Sequence, residues 1–350
     1  MTVHLLVPEG IDDPRRPSGG NVYDRRLAAA LPELGWSVRV HAVGAAGVGP
    51  VLARLPDRAV VLVDGLVAAA TDALVAESRR LRAAVLLHMP GSGPAEPAVL
   101  GAVDAVITPS EWARRRVVEE HGVAPGRVHV AVPGVDPGPL VRGSAGGEGL
   151  LCVGPVTPAK GYDDLVGALA EVRDLVWRCR CVGALDLDPP YVAALGERIR
   201  RLGLAGRVEL TGALPGDRLE ALRAASDLVV APSRREAYGM ALAEGLARGL
   251  PAIATTVGGH PEALGTADEG ERPGALVPVA DPGALGAALR RWLDDRDLRE
   301  RWRRAAVRRR QGMRGWPETA VAVAAVLDRI ADRTVDRTVD QAPTAGRGEG

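Results

Sequence analysis

Short apolar runs alternate along the chain with stretches in which apolar residues recur at helical spacing. One such run is Leu228–Ala231, which suits a strand buried on both faces and ends at Pro232 and Ser233. The next apolar positions follow a helical period as far as Gly249, and residues 252–254 are apolar again. Strand, loop, helix and strand in this order predict one βαβ unit of a parallel sheet.

The same alternation continues on both sides of this unit and predicts an α/β fold with two doubly wound parallel-sheet domains. A chain of 350 residues is long for one core, and residues 137–148, rich in Pro, Gly and Ser, suit a hinge between domains at 1–140 and 149–316. The predicted strands are 3–7, 37–43, 59–63, 84–87, 102–109, 128–132, 150–153, 180–182, 208–210, 228–231 and 252–254. The predicted helices are 22–34, 74–81, 191–202, 217–225, 240–247 and 284–293, with a Gly- and Pro-containing connector between 43 and 59.

Composition excludes some classes of function. Lys+Arg and Asp+Glu are equal at 44 each, so no net field draws the whole protein to nucleic acid. The three cysteines lack the spacing of a metal site and suit a buried core in a reducing compartment. No window reaches about 18 consecutive apolar residues, and Pro8, Glu9 and Asp12 lie where a signal peptide needs an apolar region. These features predict a cytoplasmic protein.

Two carboxylates stand where the predicted strand 228–231 gives way to its helix. Ligands of parallel sheets bind at the carboxyl ends of the strands, where N–H groups at a helix N-terminus favour anions. Glu236 and Glu244 are eight residues apart, which on a continuous helix means a rise of about 12 Å, too far for a close acid/base pair. With Glu236 in the loop, both can instead hold opposite ends of an elongated ligand. The alternative is that Glu236 only favours the positive helix end and that Glu244 is solvated.

The motif around these carboxylates resembles the E-x7-E signature of the retaining family-4 glycosyltransferases. The matching positions are Pro232, Ser233, Glu236, Gly239, Glu244, Gly249, Pro251, Gly258, Gly259 and Glu262. The resemblance implies the GT-B fold, two Rossmann-like domains facing across a cleft, with a closing helix at 317–333 that crosses back to the first domain. It also implies that Glu236 contacts the donor sugar and Glu244 the ribose of the nucleotide.

The resemblance assigns further residues to the same cleft. It implies that the loop with Gly19 and Gly20 lies beside the donor diphosphate, that His88 contacts the donor sugar, and that Lys160 meets the phosphates. The catalytic residues expected on this basis are His88, Glu236 and Lys160. The expected donor-binding residues are Gly19, Gly20, Lys160, Glu236, Ala237, Tyr238, Gly239, Met240 and Glu244. The alternatives are a flexible turn for the glycines, a structural role for His88 and a surface position for Lys160.

One position departs from the family pattern. The family usually has an arginine directly after the first glycine of this loop in the second domain, whereas Pro155 follows Gly154 here. The change removes a guanidinium that would bind phosphate through two hydrogen bonds. Three explanations stay open: Arg234 or Arg235 compensates, donor binding is weak, or the donor is unusual.

Together these features predict a retaining glycosyltransferase that moves a sugar from a nucleotide donor to a small-molecule, glycan or lipid acceptor. Because Lys160, the glycine loop and a helix N-terminus can offset the charge of the leaving diphosphate, we expect neither a metal nor a cofactor. We interpret Asp186 and Asp188 as part of a turn rather than as metal ligands.

Two alternatives remain. One is another GT-B reaction, that of a nucleotide-sugar 2-epimerase or a phosphorylase; the other is a sugar-nucleotide-binding protein without catalysis. A nicotinamide oxidoreductase is not expected, because the chain has no complete G-x-G-x-x-G with an acidic residue about 20 positions on.

Three expectations concern the C-terminal part of the chain. Residues 290–314 hold a dense set of arginines on helical sequence, which we interpret either as a solvated face or as a surface that meets anionic lipid. Glu262 is expected to contact the backbone of its own loop rather than the substrate. A polar repeat and a Gly- and Pro-bearing end predict disorder at 335–350.

Overall fold

The computed structural model describes residues 1–15, 17–91, 93–267 and 270–332, which form two parallel six-stranded sheets. The strands are β1 (Thr2–Pro8), β2 (Ser37–Val43), β3 (Val60–Asp64), β4 (Arg82–Leu86), β5 (Ala105–Thr108), β6 (Val128–Val130), β7 (Gly149–Val153), β8 (Arg178–Val182), β9 (Val208–Gly212), β10 (Leu228–Ala231), β11 (Ala252–Thr255) and β12 (Gly274–Val277). The helices are α1 (Gly19–Ala30), α2 (Ala45–Ala53), α3 (Gly65–Ala69), α4 (Ala73–Glu77), α5 (Glu96–Ala102), α6 (Glu111–His121), α7 (Tyr162–Glu171), α8 (Pro189–Arg201), α9 (Gly216–Ala224), α10 (Met240–Leu246), α11 (His260–Leu264), α12 (Pro282–Asp294), α13 (Arg296–Gln311) and α14 (Trp316–Ala331).

The first sheet has the strand order β2-β1-β3-β4-β5-β6, and the first strand lies at its topological switch point. Val3 is paired with Val38 on one side and with Val60 on the other. Neighbouring residues of β1 enter different cores, since Leu5 packs in one hydrophobic cluster and Leu6 in another. Both faces of this sheet are therefore covered, as the continuous apolar runs predicted.

The second sheet repeats this plan with the order β12-β11-β10-β7-β8-β9. Its switch point lies between β7 and β10, where Leu150 pairs with Leu228. One face packs on a core that contains Tyr162, Trp177 and Trp292, and the other face packs on α10 and α11. Ligands of such sheets bind in the crevice outside the carboxyl ends of the strands at the switch point.

Helix α14 crosses back to the first sheet. Its buried apolar side chains share a hydrophobic cluster with β1 and α1, and the ring of Trp316 meets the ring of Tyr23 edge-on at 5.5 Å between centroids. The sequence predicted this helix at 317–333. Residue 333 of the predicted helix lies outside the described residues, as does the tail at 335–350, for which disorder was predicted.

Several elements differ from the prediction. Helix α2 occupies the segment expected to be a connector, even though it contains Pro50 and two glycines. Val48 and Leu52 are completely buried in the core of the first domain, so their packing outweighs the low helix propensity of their neighbours. The helices α3, α5, α7 and α11 and the strand β12 were also not predicted from the sequence. Helix α1 begins three residues before the predicted start, and a 3-10 turn replaces its predicted last turn.

Many arginines of α13 anchor the hinge rather than face solvent. Arg299 donates to the carbonyls of Trp292 and Ala145, and Arg310 donates to the carbonyl of Gly138. Arg303 donates to Ser144 and to the buried carboxylate of Asp227. The interpretation of this stretch as a uniformly solvated face was therefore too simple. In the part of the chain that the structure describes, no helix is long and apolar enough to cross a membrane.

Candidate active site

The carboxyl ends of the two sheets share one cavity of about 410 Å³ between the domains. The first sheet contributes the loops that follow β1, β3 and β4, and the second sheet contributes those that follow β7 and β10. All residues that the sequence predicted for the site line this cavity: Gly19, Gly20, His88, Lys160, Glu236, Ala237, Tyr238, Gly239, Met240 and Glu244. The structure thus brings the predicted residues together at the place where a parallel sheet presents its ligand groups.

The glycine loop of the first domain allows two close approaches. Ser18 starts α1, because its Oγ accepts the N–H of Asn21 at 3.0 Å. A Cβ at Gly19 would lie 3.1 Å from Sδ of Met240, which belongs to the second domain. A Cβ at Gly20 would lie 2.9 Å from Cδ2 of His88 and would displace the imidazole. Close packing on both sides of the cavity therefore explains the two glycines.

His88 lies between two carboxylates. Its Nε2 is 2.8 Å from Oδ1 of Asp24 and 3.3 Å from Oδ2 of Asp64. Asp24 projects from α1 and is completely buried. Asp64 ends β3 and caps α3, since its Oδ1 accepts the N–H groups of Leu66 and Val67. Three separate elements therefore converge on one imidazole.

These carboxylates set the protonation of the first-domain side of the cavity. Burial disfavours a charged imidazole, but Asp24 and Asp64 outweigh burial and raise the pKa of His88 above its ordinary value. Burial, opposed by His88 and reinforced by Asp24, raises the pKa of the Asp64 carboxyl to about 6. Both carboxylates therefore favour the cationic form of His88.

Lys160 and Glu236 form an ion pair on the opposite side of the cavity. Nζ of Lys160 donates to Oε2 of Glu236 at 2.6 Å, and Nε2 of His260 lies 3.9 Å from the same oxygen. Burial opposes ionisation of Glu236, but Lys160 and His260 outweigh it and lower the pKa of this carboxyl. Burial lowers the pKa of His260, which favours its neutral form beside the pair. Glu236 is therefore held as a carboxylate.

Lys160 is the single lysine among the 44 Lys and Arg residues of the chain. Every other basic position that a lysine could fill carries the planar guanidinium of arginine instead. An ammonium is a compact point charge with three rotatable donors, whereas a guanidinium is a rigid fork. The composition of the chain therefore suggests that position 160 requires an ammonium, a signal that the sequence analysis did not use.

Glu244 also lines the cavity and belongs to a group of four charges. Its carboxylate accepts from Arg223, whose side chain is only 6% exposed, and Arg223 also pairs with Glu220. Arg248 completes the group by donating to Glu220. Burial raises the pKa of Glu244, although Arg223 and Arg248 oppose this effect. Glu244 is therefore not the solvated helix residue of the alternative interpretation.

Neither candidate replaces the guanidinium that Pro155 removes. Arg234 donates to Asp163 and Asp164 at 2.7 and 2.9 Å, and it does not line the cavity. Arg235 donates to the carbonyl of Pro90 in the first domain at 3.1 Å and lies outside the cavity as well. Among the described residues that line the cavity, Lys160 is the one Lys or Arg. The explanation that Arg234 or Arg235 compensates is therefore wrong for this conformation.

Glu262 links the two domains, which corrects its predicted role. Its carboxylate accepts the backbone N–H groups of Glu111 and Trp112 at 2.8 and 2.7 Å, at the start of α6 in the first domain. The prediction that Glu262 contacts its own loop was wrong, because the free N–H groups of a helix start offer a better partner for a carboxylate. Beside it, Oγ of Ser110 donates to the carbonyl of Ala237 at 2.6 Å. These bonds fix Ala237 and the start of α11 against the first domain.

Three residues of the site were not predicted from the sequence. Asp24 and Asp64 lie on elements that no motif connects to His88, although Asp64 directly follows a strongly apolar run and so marks a strand end. His260 follows the Gly258-Gly259 pair that the motif did identify. Position after a predicted strand could have indicated Asp64 and His260, whereas only the fold brings Asp24 to the imidazole.

Solved structures share this architecture. Sucrose-phosphate synthase from Thermosynechococcus elongatus superposes with a TM-score of 0.75 at 19% identity, over 94% of this chain and 99% of that one. The Anabaena protein HepE in complex with UDP-glucose gives a TM-score of 0.68 at 18% identity, and the superposition covers 94% of this chain and 100% of that one. At such identities the likeness concerns the fold alone. This chain has two doubly wound domains with a cleft between them. This architecture is the GT-B fold of glycosyltransferases, as predicted.

Sequence comparison gives the family. The family model described as glycosyl transferases group 1 matches residues 145–309. A relative named D-inositol 3-phosphate glycosyltransferase from Kineococcus radiotolerans is 33% identical over 257 residues, 67% of this chain and 59% of the relative. One from Catenulispora acidiphila is 31% identical over 269 residues, 69% of this chain and 62% of the relative. Residues 145–309 therefore belong to the glycosyl transferases group 1 family, and the chain spans about 60% of the length of these relatives.

Proposed function

We propose that the protein is a retaining glycosyltransferase that moves a sugar from a nucleotide-diphosphate-sugar donor to an acceptor, in the cytoplasm and without a metal or cofactor. The observation that carries the proposal is the single cavity in which His88, Lys160 and Glu236 converge from both domains. Lys160 and the backbone N–H groups of residues 238–240 offset the negative charge of the departing diphosphate. Glu236 meets the donor sugar, and Glu244 meets the ribose.

The partners of the carboxylates bear on how the proposed retention of configuration would be achieved. Each carboxylate that lines the cavity has a basic partner among the described residues: Glu236 pairs with Lys160, Asp64 with His88, and Glu244 with Arg223. A carboxylate that attacks the sugar would have to leave such a pair, so we favour a reaction in which the departing phosphate takes the acceptor's proton. Proton NMR of the product measures the anomeric configuration directly. An inverted product would contradict this part of the proposal.

A thermal-shift screen against UDP-, GDP-, ADP- and TDP-sugars tests donor binding. A ligand at 100 times its Kd should stabilise the folded protein by about 2.7 kcal/mol, so one donor class should raise the Tm by several degrees. Lys160→Ala is the control, because it removes the proposed phosphate partner. If no sugar nucleotide raises the Tm of the wild type, the proposal fails.

The single lysine offers an independent probe of the same cavity. Reductive methylation with ¹³C-formaldehyde labels Lys160 and the N-terminal amine. The Lys160 signal should shift when the donor binds, because the phosphate competes with Glu236 for the ammonium. A donor that raises the Tm but leaves this signal unchanged would bind elsewhere.

For the acceptor we favour a neutral hydroxyl compound. The relatives are named D-inositol 3-phosphate glycosyltransferases, so D-inositol 3-phosphate and free inositol form a matched pair for the first assay. Among the described residues that line the cavity from the first domain, no Lys or Arg is present that could pair with an acceptor phosphate, and the imidazole of His88 is already paired with Asp64. We expect inositol to be the better acceptor of the two, and preference for the phosphate would contradict the choice of a neutral acceptor.

A sugar-nucleotide-binding protein without transferase activity is the second candidate, and Pro155 is the observation that favours it. Such a protein would bind a donor yet show neither transfer nor hydrolysis. Product analysis with added phosphate identifies a phosphorylase, and product analysis without an acceptor identifies a 2-epimerase. Transfer to any acceptor would exclude the second candidate.

Contact with anionic lipid completes the proposal. Arg301 and Arg304 of α13 are exposed and can face a membrane surface. Sedimentation with vesicles that contain anionic lipid should be reduced in the Arg301→Ala, Arg304→Ala double variant. Equal sedimentation of variant and wild type would contradict this contact.

A further inference from the structure

The imidazole of His88 is held on three sides. The backbone of Gly20 packs against Cδ2, as the short distance to a Cβ at that position shows. The ring of Tyr23 meets the imidazole edge-on, with 5.1 Å between centroids and an interplanar angle of 61°. The carboxylates of Asp24 and Asp64 contact Nε2. The ring therefore has one orientation in this environment.

This orientation divides the roles of the two ring nitrogens. An ionised carboxylate only accepts hydrogen bonds, so Nε2, which faces Asp24 and Asp64, must carry a proton. None of the described residues forms a hydrogen bond with Nδ1. His88 lines the cavity, and its side chain is 17% exposed. Nδ1 is therefore the nitrogen that a bound molecule can reach.

Asp24 depends on His88 for its charge balance. Asp24 is 0% exposed, and its Oδ2 is buried without a hydrogen-bond partner among the described residues. A buried carboxylate is tolerated when it is paired with an opposite charge. The imidazolium form of His88 supplies that charge at 2.8 Å.

We propose that Asp24 is a positioning residue that fixes His88 with Nε2 inward and keeps the imidazole cationic, so that Nδ1–H donates a hydrogen bond to an oxygen of the bound sugar. Asp64 supports the same state from the end of β3. The identity of the sugar ligand rests on the proposed function, whereas the orientation and charge of the imidazole do not.

The proposal has a defined pH dependence. The titratable groups that face His88 are Asp24 and Tyr23 on α1 and Asp64 at the end of β3. Both carboxylates favour the protonated imidazole, so the Nδ1–H donor is present below the raised pKa of His88 and is lost as the pH rises through that pKa. Turnover should therefore decline on the alkaline side of this pKa.

Long-range ¹H–¹⁵N NMR of protein with ¹⁵N-labelled histidine tests the imidazole state without any substrate. The wild type should show one imidazole with Nε2 protonated at every pH between 5 and 9 and with Nδ1 losing its proton at a midpoint above 6.5. The His88→Gln spectrum assigns this signal by its absence. A neutral form of His88 with the proton on Nδ1 and none on Nε2 would overturn the proposal.

Asp24→Asn separates positioning from a merely structural role, and Glu96→Gln is the matched control. Glu96 is a second buried carboxylate of the first domain that pairs with a histidine, His121, at 3.2 Å, and it does not line the cavity. Asp24→Asn should lower the pH midpoint at which His88 loses its proton, and it should reduce kcat about 10- to 100-fold. The alkaline limb of the kcat–pH profile should move to lower pH. Glu96→Gln should change neither the midpoint nor the limb.

An unchanged His88 midpoint in Asp24→Asn would overturn the proposal. If Asp24→Asn does not fold, Asp64→Asn should shift the midpoint in the same direction, and the wild-type tautomer remains an independent measurement.

The donor that raises the Tm most in the panel of UDP-, GDP-, ADP- and TDP-sugars is then added to the labelled wild type. Its binding should shift the Nδ1 signal of His88. Binding without such a shift overturns this inference and leaves the proposed function intact. Absence of binding by all donors overturns the proposed function and leaves the measured imidazole state intact.

A divalent cation is the competing occupant of this place. Asp24, Asp64 and His88 offer ligand atoms that all lie within 4.8 Å of one another. Zn²⁺ is therefore titrated into protein treated with EDTA. Loss of the Nε2 proton together with a raised Tm would overturn the proposal in favour of a metal site, and unchanged His88 signals would support it.

Discussion

The two sides of the cavity hold their charges in different ways. The first-domain side places His88 between two buried carboxylates that come from α1 and β3. The second-domain side pairs Lys160, in the loop after β7, with Glu236, in the loop after β10. The first-domain side thus has two carboxylates around one enclosed imidazole, while the second-domain side has one ammonium paired with one carboxylate.

This difference suggests how a charged donor would lie. The phosphates are expected on the second-domain side, where Lys160 can leave Glu236 and bind them. The neutral sugar and the acceptor are expected on the first-domain side, where an enclosed imidazolium offers hydrogen bonds but little net positive field. Changes to each side should therefore have separable effects on nucleotide affinity and on turnover.

Loss of the ammonium should have the largest effect. Lys160→Ala should lower the single-turnover rate of transfer on the order of 10²- to 10³-fold, because it removes the ammonium that we propose stabilises the departing phosphate. Lys160→Arg should also be strongly impaired, since a planar fork cannot replace a point charge 2.6 Å from Glu236. Rapid-quench assays with saturating donor measure the rates.

Arg301→Ala, which removes an exposed charge outside the motif, is the control for these variants and should transfer normally.

The pH dependence of the stability of Lys160→Ala, compared with that of the wild type, is a second test. The folded pKa of Glu236 lies below its ordinary 4.5, so the ion pair stabilises the fold above that pH and the stabilisation is lost as the pH falls through the lowered pKa. Wild-type transfer by Lys160→Ala would remove the basis of the comparison.

The sequence predicted the second-domain side better than the first, for a physical reason. Glu236, Gly239 and Glu244 lie within one βαβ unit, so their spacing along the chain already determines their spacing in the cavity. Asp24 and His88 are 64 residues apart and meet only because β1, β3 and β4 are neighbours in the sheet. Pairing of distant strands leaves no local pattern that a single sequence could reveal.

The fold followed the same rule. Continuous apolar runs indicated the strands of both sheets except β12, because a buried parallel strand needs apolar residues on both faces. Helix α2 was missed because Gly47, Gly49 and Pro50 disfavour a helix locally, while the burial of Val48 and Leu52 favours it in the folded domain. Glu262 was misassigned because its partners, the N–H groups of α6, become neighbours only when the domains face each other.

Loss of the link between the two sides should have an intermediate effect. Glu262→Ala removes two charge-assisted hydrogen bonds to the start of α6 and should lower kcat/KM for transfer about tenfold. Small-angle X-ray scattering should show a larger radius of gyration, because the domains are held less closely. Glu111→Ala is the matched control, since it removes a charge at the same helix end but keeps the backbone N–H. Equal scattering of Glu262→Ala and the wild type would refute the linking role.

The smallest expected effect sharpens the comparison. Pro155→Arg adds a second cation to the second-domain side, and the nucleotide Kd should fall about three- to tenfold, since a guanidinium can bind phosphate through two hydrogen bonds. Isothermal titration calorimetry measures this change, and Pro155→Ala separates the gain of charge from the loss of the ring. Turnover should change less than affinity, because an added partner that binds ground state and transition state equally does not raise kcat. Weaker nucleotide binding by Pro155→Arg, with Pro155→Ala unchanged, would mean that this side does not receive phosphate and that the assignment of the two sides is reversed.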